Sequence, residues 1–201
     1  MVAITGATGL LGGHILDKLL EEAASPIALY RPGQDLLLPA GVIKRPADIL
    51  DQVSLREALD GATTVIHAAA FVSFNPRRRK KIFEVNVMGT RNVIDTCLQL
   101  GIKNFIHISS VAALGRKSGQ EMTEESNWTG SHSTDYAESK YLAELEVFRA
   151  AEEGLTVSIV NPSFILSASQ PLRSSATLFN YIWSEKHNRI NPSGINTTGM
   201  K

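Results

Sequence analysis

A parallel β-sheet covered by helices on both faces is the fold this sequence predicts, and three observations predict it. Short apolar runs rich in β-branched residues alternate with longer stretches of helical period from Val2 to Val160. Those runs are too continuously apolar for a sheet with one wet face, so both faces are buried. Glycines stand at the ends of the helical stretches, where the chain turns back toward the sheet.

Taken in order, Val2 to Ile4 reads as a buried strand. Leu10 to Ala23 reads as a helix, with Leu11, Ile15, Leu19 and Leu20 at helical spacing. Ile27 to Tyr30 is a second strand closed by the turn signal Pro32-Gly33, and Val42 to Lys44 a third. Ser54 to Leu59 is a short helix with Ser54 as its cap, and Thr63 to His67 a fourth strand. A long helix is expected from about Lys80 to Leu100, ended by Gly101, then a strand from Asn104 to Ile108. A second long helix runs from Tyr136 to Glu153, followed by Gly154 and a sixth strand from Thr156 to Val160. Right-handed crossovers bring the carboxyl ends of such strands to one edge, where open α/β sheets bind their ligands.

Composition narrows the classes. The chain has 201 residues, 43% hydrophobic and 20% charged, enough for one sizeable core. Twenty Lys and Arg balance 20 Asp and Glu, so no net field favours nucleic acid or an anionic membrane. The single cysteine, Cys97, excludes an intrachain disulfide and is expected to be packed and inert. No apolar run approaches the ~20 residues that span a bilayer. Met1-Val2-Ala3-Ile4 enters a strand directly, without the pattern of a signal peptide. A cytoplasmic location is expected.

The segment Thr5-Gly6-Ala7-Thr8-Gly9-Leu10-Leu11-Gly12 joins the first strand to the first helix. Gly6 permits a tight turn with positive φ. Gly9 lets backbone approach a pyrophosphate, Gly12 lets the helix pack on the strand, and the N–H groups around Leu10 and Leu11 face an anion. The spacing is Gly-x-x-Gly-x-x-Gly rather than Gly-x-Gly-x-x-Gly. After the second strand, Arg31 stands where an acid would favour NAD, and an Arg there suits the 2′-phosphate of NADP. Asp48-Ile49 follows the third strand, where the carboxylate can accept from an adenine amino group under Ile49 or, equally on spacing, cap a helix.

Tyr136-Ala-Glu-Ser-Lys140 places a phenol and an ammonium on one helix face. A cation there is expected to lower the phenol pKa toward the range useful for proton transfer. An alkoxide left by hydride transfer needs such a proton donor. Ser109-Ser110 follows the fifth strand, where a hydroxyl can donate to a substrate carbonyl oxygen.

Together these residues resemble the extended short-chain dehydrogenase/reductase family, the NAD-dependent epimerase/dehydratase superfamily with its Rossmann-type doubly wound sheet. The matching segments are Thr5 to Gly12, Asp48-Ile49, His67 to Ala70, Asn86-Val-Met-Gly-Thr90, Ser109 to Gly115, Tyr136 to Lys140 and Asn161-Pro162-Ser163, in the family's order. The resemblance implies that Tyr136 is the general acid/base and that Lys140 holds the ribose hydroxyls. It selects Ser110 over Ser109, counted back from Gly115. It also implies that Ala68, Ala69 and Ala70 line the cofactor, that Asn86 lies against it, and that backbone after Pro162, at Ser163, meets the nicotinamide. The dihydroflavonol-reductase and hydroxysteroid-dehydrogenase branch is the most similar.

Residues 1–165 are thus expected to form the NAD(P)-binding domain. Residues 166–201 are expected to begin a substrate-binding region that is missing or truncated, with a polar, poorly ordered tail from about Glu185. The basic run Arg77 to Lys81 is expected to be a solvated loop. His67 and His107 lack partners at metal-ligand spacing, so no metal site is expected. No Gly-x-Ser-x-Gly elbow supports a hydrolase. The expected partner is a small-molecule substrate with NADP or NAD, without nucleic acid or membrane, on a homodimer by family analogy. Three functions remain: an oxidoreductase acting on a carbonyl or secondary alcohol, a nucleotide-sugar epimerase or dehydratase, and a dinucleotide-binding protein without turnover.

Overall fold

The computed structural model describes residues 1–163 and 165, apart from 23, 35–36, 116–122, 127, 129 and 131–132. Residues 1–163 form one compact unit. The expected substrate region from 166 onward lies outside the described residues.

Six strands build the sheet: β1 (Val2–Thr5), β2 (Ile27–Tyr30), β3 (Ile43–Pro46), β4 (Thr64–His67), β5 (Asn104–Ile108) and β6 (Thr156–Val160). They lie in the order β3-β2-β1-β4-β5-β6, and every neighbouring pair is parallel. The chain therefore builds outward from β1 to β3, returns, and builds the other way from β4. The crevice at that reversal, between the carboxyl ends of β1 and β4, is where this topology binds its ligand. The sheet is of the doubly wound Rossmann type that the alternation of runs predicted.

Side chains alternate between two cores, as strand geometry requires. Ala3, Ile27, Leu29, Val65 and Phe105 pack on one face with Leu55, Leu59, Val93, Ile94, Cys97, Val147 and Ala150. These last residues come from α2 (Gln52–Leu59), α4 (Gly89–Gln99) and α5 (Asp135–Glu152). Ile4 and Ala28 point the other way, against Leu16 of α1 (Leu10–Glu21). Cys97 is fully buried, and burial pushes its thiol up to about 12, which leaves it the packed residue expected.

Several expected boundaries move for identifiable reasons. The third strand starts at Ile43 and runs to Pro46. Asp51, not Ser54, caps α2 by accepting from the Val53 amide at 3.0 Å, and Ser54 donates to the Asp51 carbonyl instead. Thr134 caps α5, which begins at Asp135. The basic run is not a loop. Pro76–Arg78 form a 3-10 turn and Arg79–Phe83 a helical segment, α3. Arg78 and Lys81 lie over the Phe71 ring, and Arg79 reaches Asp135 and Glu138 in the first turn of α5.

The expected long helix from Lys80 to Leu100 carries a π-helical turn at Glu84–Met88 between α3 and α4. A π turn inserts one residue and re-aims the side chains around it. Here it turns Asn86 inward, where its carbonyl accepts from the Phe71 amide at 2.7 Å and its amino group donates to the Phe71 carbonyl and Ser139. That pair of backbone bonds clamps the chain leaving β4.

His67 and His107 face each other across β4 and β5, stacked with ring centroids 5.5 Å apart. His67 is bonded at both ring nitrogens, to Thr5 Oγ1 at 2.7 Å and Thr90 Oγ1 at 3.0 Å. Burial, with a contribution from the Lys140 ammonium, lowers its pKa to about 3. Burial lowers that of His107 well below the ordinary value.

This packing can be tested at two points. A Cβ on Gly12 would stand 2.2 Å from the Gly6 carbonyl oxygen, backbone that cannot swing aside. Gly12→Ala is therefore expected to destabilise the chain by about 1–3 kcal/mol in urea unfolding. In acid, the unfolded chain binds protons at its histidines as pH falls through 6.5, whereas folded His67 resists until about 3. Stability is thus expected to fall through that window, with a slope of up to ~1.4 kcal/mol per pH unit for each buried histidine. His67→Gln should flatten the slope, and an equal slope in that variant would remove His67 as its source.

Candidate active site

The loop after β1 is built on close backbone contact. Gly6 sits at φ 70°, and a Cβ there would lie 2.6 Å from the Ala68 carbonyl carbon and the Ala69 nitrogen. The first helical turn is sealed by Gly9 N–H to the Gly6 carbonyl at 2.9 Å, and Gly13 N–H makes the first helical bond to Gly9. Gly9 caps α1 without a side chain, and among the described residues no side-chain cap bond claims the N–H groups of the first turn. Gly9 is exposed, and Leu10 and Leu11 are half-buried. Uncapped N–H groups and the positive end of a twelve-residue helix are the features that favour an anion. Gly12 is buried beneath the loop in the packing role expected of it.

Thr5 does not face this site. It is fully buried, its hydroxyl bonded to His67 and to the Ala69 amide at 3.3 Å. The expectation that Thr5 contacts the cofactor is corrected: it aligns the loops after β1 and β4. Asn86 is corrected in the same sense. It is 1% exposed, so it cannot lie against a cofactor, and it holds Phe71 from behind. Ala68 and Ala69 are half-buried and Ala70 exposed along that clamped segment.

Arg31 stands exposed directly after β2. Asp48 is half-buried and closes a turn, its Oδ1 accepting from the Leu50 amide at 2.9 Å. The helix-capping alternative for Asp48 is displaced, because Asp51 holds that position. Ile49 packs on the main core.

The structure brings Ser110, Tyr136 and Lys140 to the end of β5 and the start of α5. Ser110 opens a 3-10 turn, and its hydroxyl accepts from the Ala112 amide at 3.2 Å and lies near enough to the Tyr136 phenol to favour its ionised form. Ser109, by contrast, is buried and points to Glu144. The geometry thus separates the two serines that the bare pattern left open. Pro162 stands half-buried, its carbonyl accepting from Val111 N–H at 3.1 Å, with Ser163 exposed beyond it.

The electrostatics differ from expectation at one point. Burial is the largest influence on Tyr136 and raises its pKa, with the Ser110 bond acting in the opposite direction. The ammonium of Lys140 does not lower it. That side chain is 2% exposed and turns to the end of β5, where it donates to the Ile108 carbonyl at 2.8 Å and lies 3.3 Å from His107 Nε2. Burial lowers the Lys140 pKa to about 8, against a raising influence from Glu144. The cause is geometric: a strand-end carbonyl offers the buried ammonium a stronger acceptor than a neutral phenol.

Three further contributors were given no role by the sequence reading, although Asn161 lies in one of its matching segments. Asn161 Nδ2 donates to the Ser110 carbonyl at 3.1 Å and to Glu144 Oε1 at 2.6 Å. Glu144 is 6% exposed, and its spacing four residues after Lys140 was the available signal. Phe74 meets the Tyr136 ring edge-on at 6.5 Å and is 72% exposed, which no sequence pattern marked. Among the described residues no helix is long and apolar enough to cross a membrane, and no three His, Cys, Asp or Glu side chains gather as a metal site would require.

This arrangement has relatives. The family model described as the NAD dependent epimerase/dehydratase family matches residues 2–191. Sterol demethylase protein B of Methylococcus capsulatus is 36% identical over 168 residues, covering 81% of this chain and 51% of the relative. The 3 beta-hydroxysteroid dehydrogenase/Delta 5-->4-isomerase of vaccinia virus (strain Western Reserve) is 34% identical over 157 residues, covering 74% and 45%. Among solved structures, UDP-glucose 4-epimerase of Thermus thermophilus in complex with NAD superposes with a TM-score of 0.70 at 25% identity, covering 80% of this chain and 54% of that one. The chain spans about half the length of the curated relatives it matches. With its glycine loop, its strand order and this match along most of its length, the chain belongs to the NAD-dependent epimerase/dehydratase family.

Proposed function

We propose that the protein is an NAD(P)-dependent oxidoreductase acting on a carbonyl or secondary alcohol, with Tyr136 as general acid/base. The observation that carries this reading is the gathering of Ser110 and Tyr136 at the carboxyl edge of the sheet, with the Ser110 hydroxyl near enough to the phenol to oppose the rise in its pKa. The side-chain-free bend at Gly6 and Gly9 and the uncapped N–H groups of α1 fit a dinucleotide's diphosphate. Ala68 to Ala70 and the backbone at Pro162 and Ser163 would flank the rest of it. When bound, the nicotinamide supplies or accepts the hydride.

The chain's own residues handle the other half of the reaction. Tyr136, its pKa raised by burial, holds its proton at neutral pH and can deliver it from the phenol oxygen to the substrate oxygen. The Ser110 hydroxyl donates to that same oxygen as negative charge builds on it. In the oxidative direction the phenolate takes the alcohol proton back. The exposed Phe74 ring beside Tyr136 offers an apolar wall to the substrate. That wall, and the hydroxysteroid dehydrogenase among the relatives, favour a reductase or dehydrogenase over a sugar epimerase or dehydratase. Arg31, exposed past β2, favours NADP. Met88, Leu145 and Phe148 are exposed, and we assign that apolar surface on the π turn and α5 to a homodimer contact.

Tyr136→Phe is expected to lower kcat on an apolar ketone by ~10²–10⁴-fold while NADPH binding persists. Near-normal turnover in that variant would remove Tyr136 from the mechanism. In fluorescence titration NADPH is expected to bind more tightly than NADH, and Arg31→Ala to cut that preference by about tenfold, which is ~1.4 kcal/mol. Equal binding of the two by the unaltered chain would overturn the assignment of Arg31.

A further inference from the structure

A buried carboxylate lies behind the Ser110–Tyr136 pair, and the proposed mechanism gives it no part. Glu144 is 6% exposed, one turn beyond Lys140 on α5. A carboxylate this deep needs donors around it, since an unpartnered buried charge is strongly unfavourable. It has two, from different strands. The Ser109 hydroxyl donates from the end of β5, and Asn161 Nδ2 donates at 2.6 Å from just past β6.

Those donors lead directly to the reacting groups. Asn161 uses the same amino group to hold the Ser110 carbonyl at 3.1 Å. The Ser110 hydroxyl in turn acts on the phenol of Tyr136, favouring its ionised form. Lys140, one turn from each, sits between Tyr136 and Glu144 along the helix and is itself buried. The groups that act on its ammonium are the Ile108 carbonyl and His107 on β5, His67 on β4, and Glu144 on α5. Both histidines are held neutral by burial, and Glu144 is the group among these whose influence favours the ammonium.

We propose that Glu144 is a positioning residue for the Ser110–Tyr136 pair, its one carboxylate tying the tips of β5 and β6 together and supplying the counter-charge for the buried Lys140 ammonium. Its relevance to turnover rests on the oxidoreductase reading, but its effect on Lys140 does not. Removing the negative charge disfavours the ammonium, which lowers the pH at which Lys140 loses its proton.

The test is a pH titration of the whole chain carrying 13Cε-labelled lysine, with the Lys140 signal assigned by its loss in Lys140→Met. In unaltered protein the midpoint is expected near 8. In Glu144→Gln, which keeps the side chain's shape and can still bond Ser109 and Asn161, the midpoint is expected to fall. An unchanged Lys140 midpoint in folded Glu144→Gln overturns the proposal. Should that variant fail to fold, 13Cδ-labelled glutamate in the unaltered chain gives the answer: the Glu144 signal must move as Lys140 titrates, and a signal indifferent to it overturns the proposal. In turnover, Glu144→Gln is expected to lose more kcat as pH rises toward 8 than below it, whereas a merely structural defect would lower kcat equally at every pH. If the midpoint falls as expected but the unaltered chain reduces no carbonyl, the oxidoreductase reading fails and the charge coupling stands.

Discussion

The contact on which the rest of the molecule depends is the seating of Gly6 on the backbone of Ala68 and Ala69. These residues belong to the two strand ends that flank the reversal of the sheet, and their backbones meet with no side chain between them. Once they touch, Thr5 falls beside His67 in register, and its hydroxyl can bridge the His67 ring to the Ala69 amide. Gly12 follows the same logic further along the chain, resting α1 on the Gly6 carbonyl. Any side chain at either point would push α1 away from the sheet and, with it, the N–H groups that give the crevice its positive end.

Behind that crevice lies a polar interior in which almost every group is accounted for. Thr5, His67, Thr90 and the Asn86 carbonyl form one chain of bonds, and Asn86 continues it to Phe71 and Ser139. Glu144, Ser109, Asn161 and the Ser110 carbonyl form another. Among the described residues, His107 Nδ1 is the buried side-chain atom without a hydrogen-bond partner. An unsatisfied buried group costs roughly 1–3 kcal/mol, so networks this complete admit few alternative arrangements. Rigidity of that kind is what a site needs when donors must be in place before charge develops. The side chains nearest the reaction are held by others that never reach it.

The sheet was legible because buried parallel strands write themselves as short apolar runs; β2, β5 and β6 fall where those runs fall. The π turn was not legible. One inserted residue in a helical stretch from Arg79 to Gln99 hardly disturbs an apolar period, yet it decides that Asn86 faces inward. The cap of α2 was misplaced because Asp48, Asp51 and Ser54 all have capping chemistry, and only backbone geometry chooses among them. At the site, spacing located Ser110, Tyr136 and Lys140 but not the direction in which the lysine points. A four-residue offset puts two side chains on one face. It does not reveal that a strand-end carbonyl lies nearer to hand.

That direction changes how the proton chemistry is divided. A lysine aimed at the phenol would act on it as a neighbouring charge, whereas here the ammonium is anchored on the β5 carbonyl and opposed by burial. The phenol is left with Ser110 as its polar partner and with burial favouring its neutral form. A protonated tyrosine is the form that can give a proton, so under the proposed oxidoreductase reading the resting arrangement suits reduction. Under the proposed reading the reverse reaction requires the phenolate, and Ser110 is the group whose influence favours it. The tip of β5, which carries Ser110 and anchors Lys140, therefore bears on that division twice, by setting a hydroxyl near the phenol and by holding the ammonium on its own carbonyl.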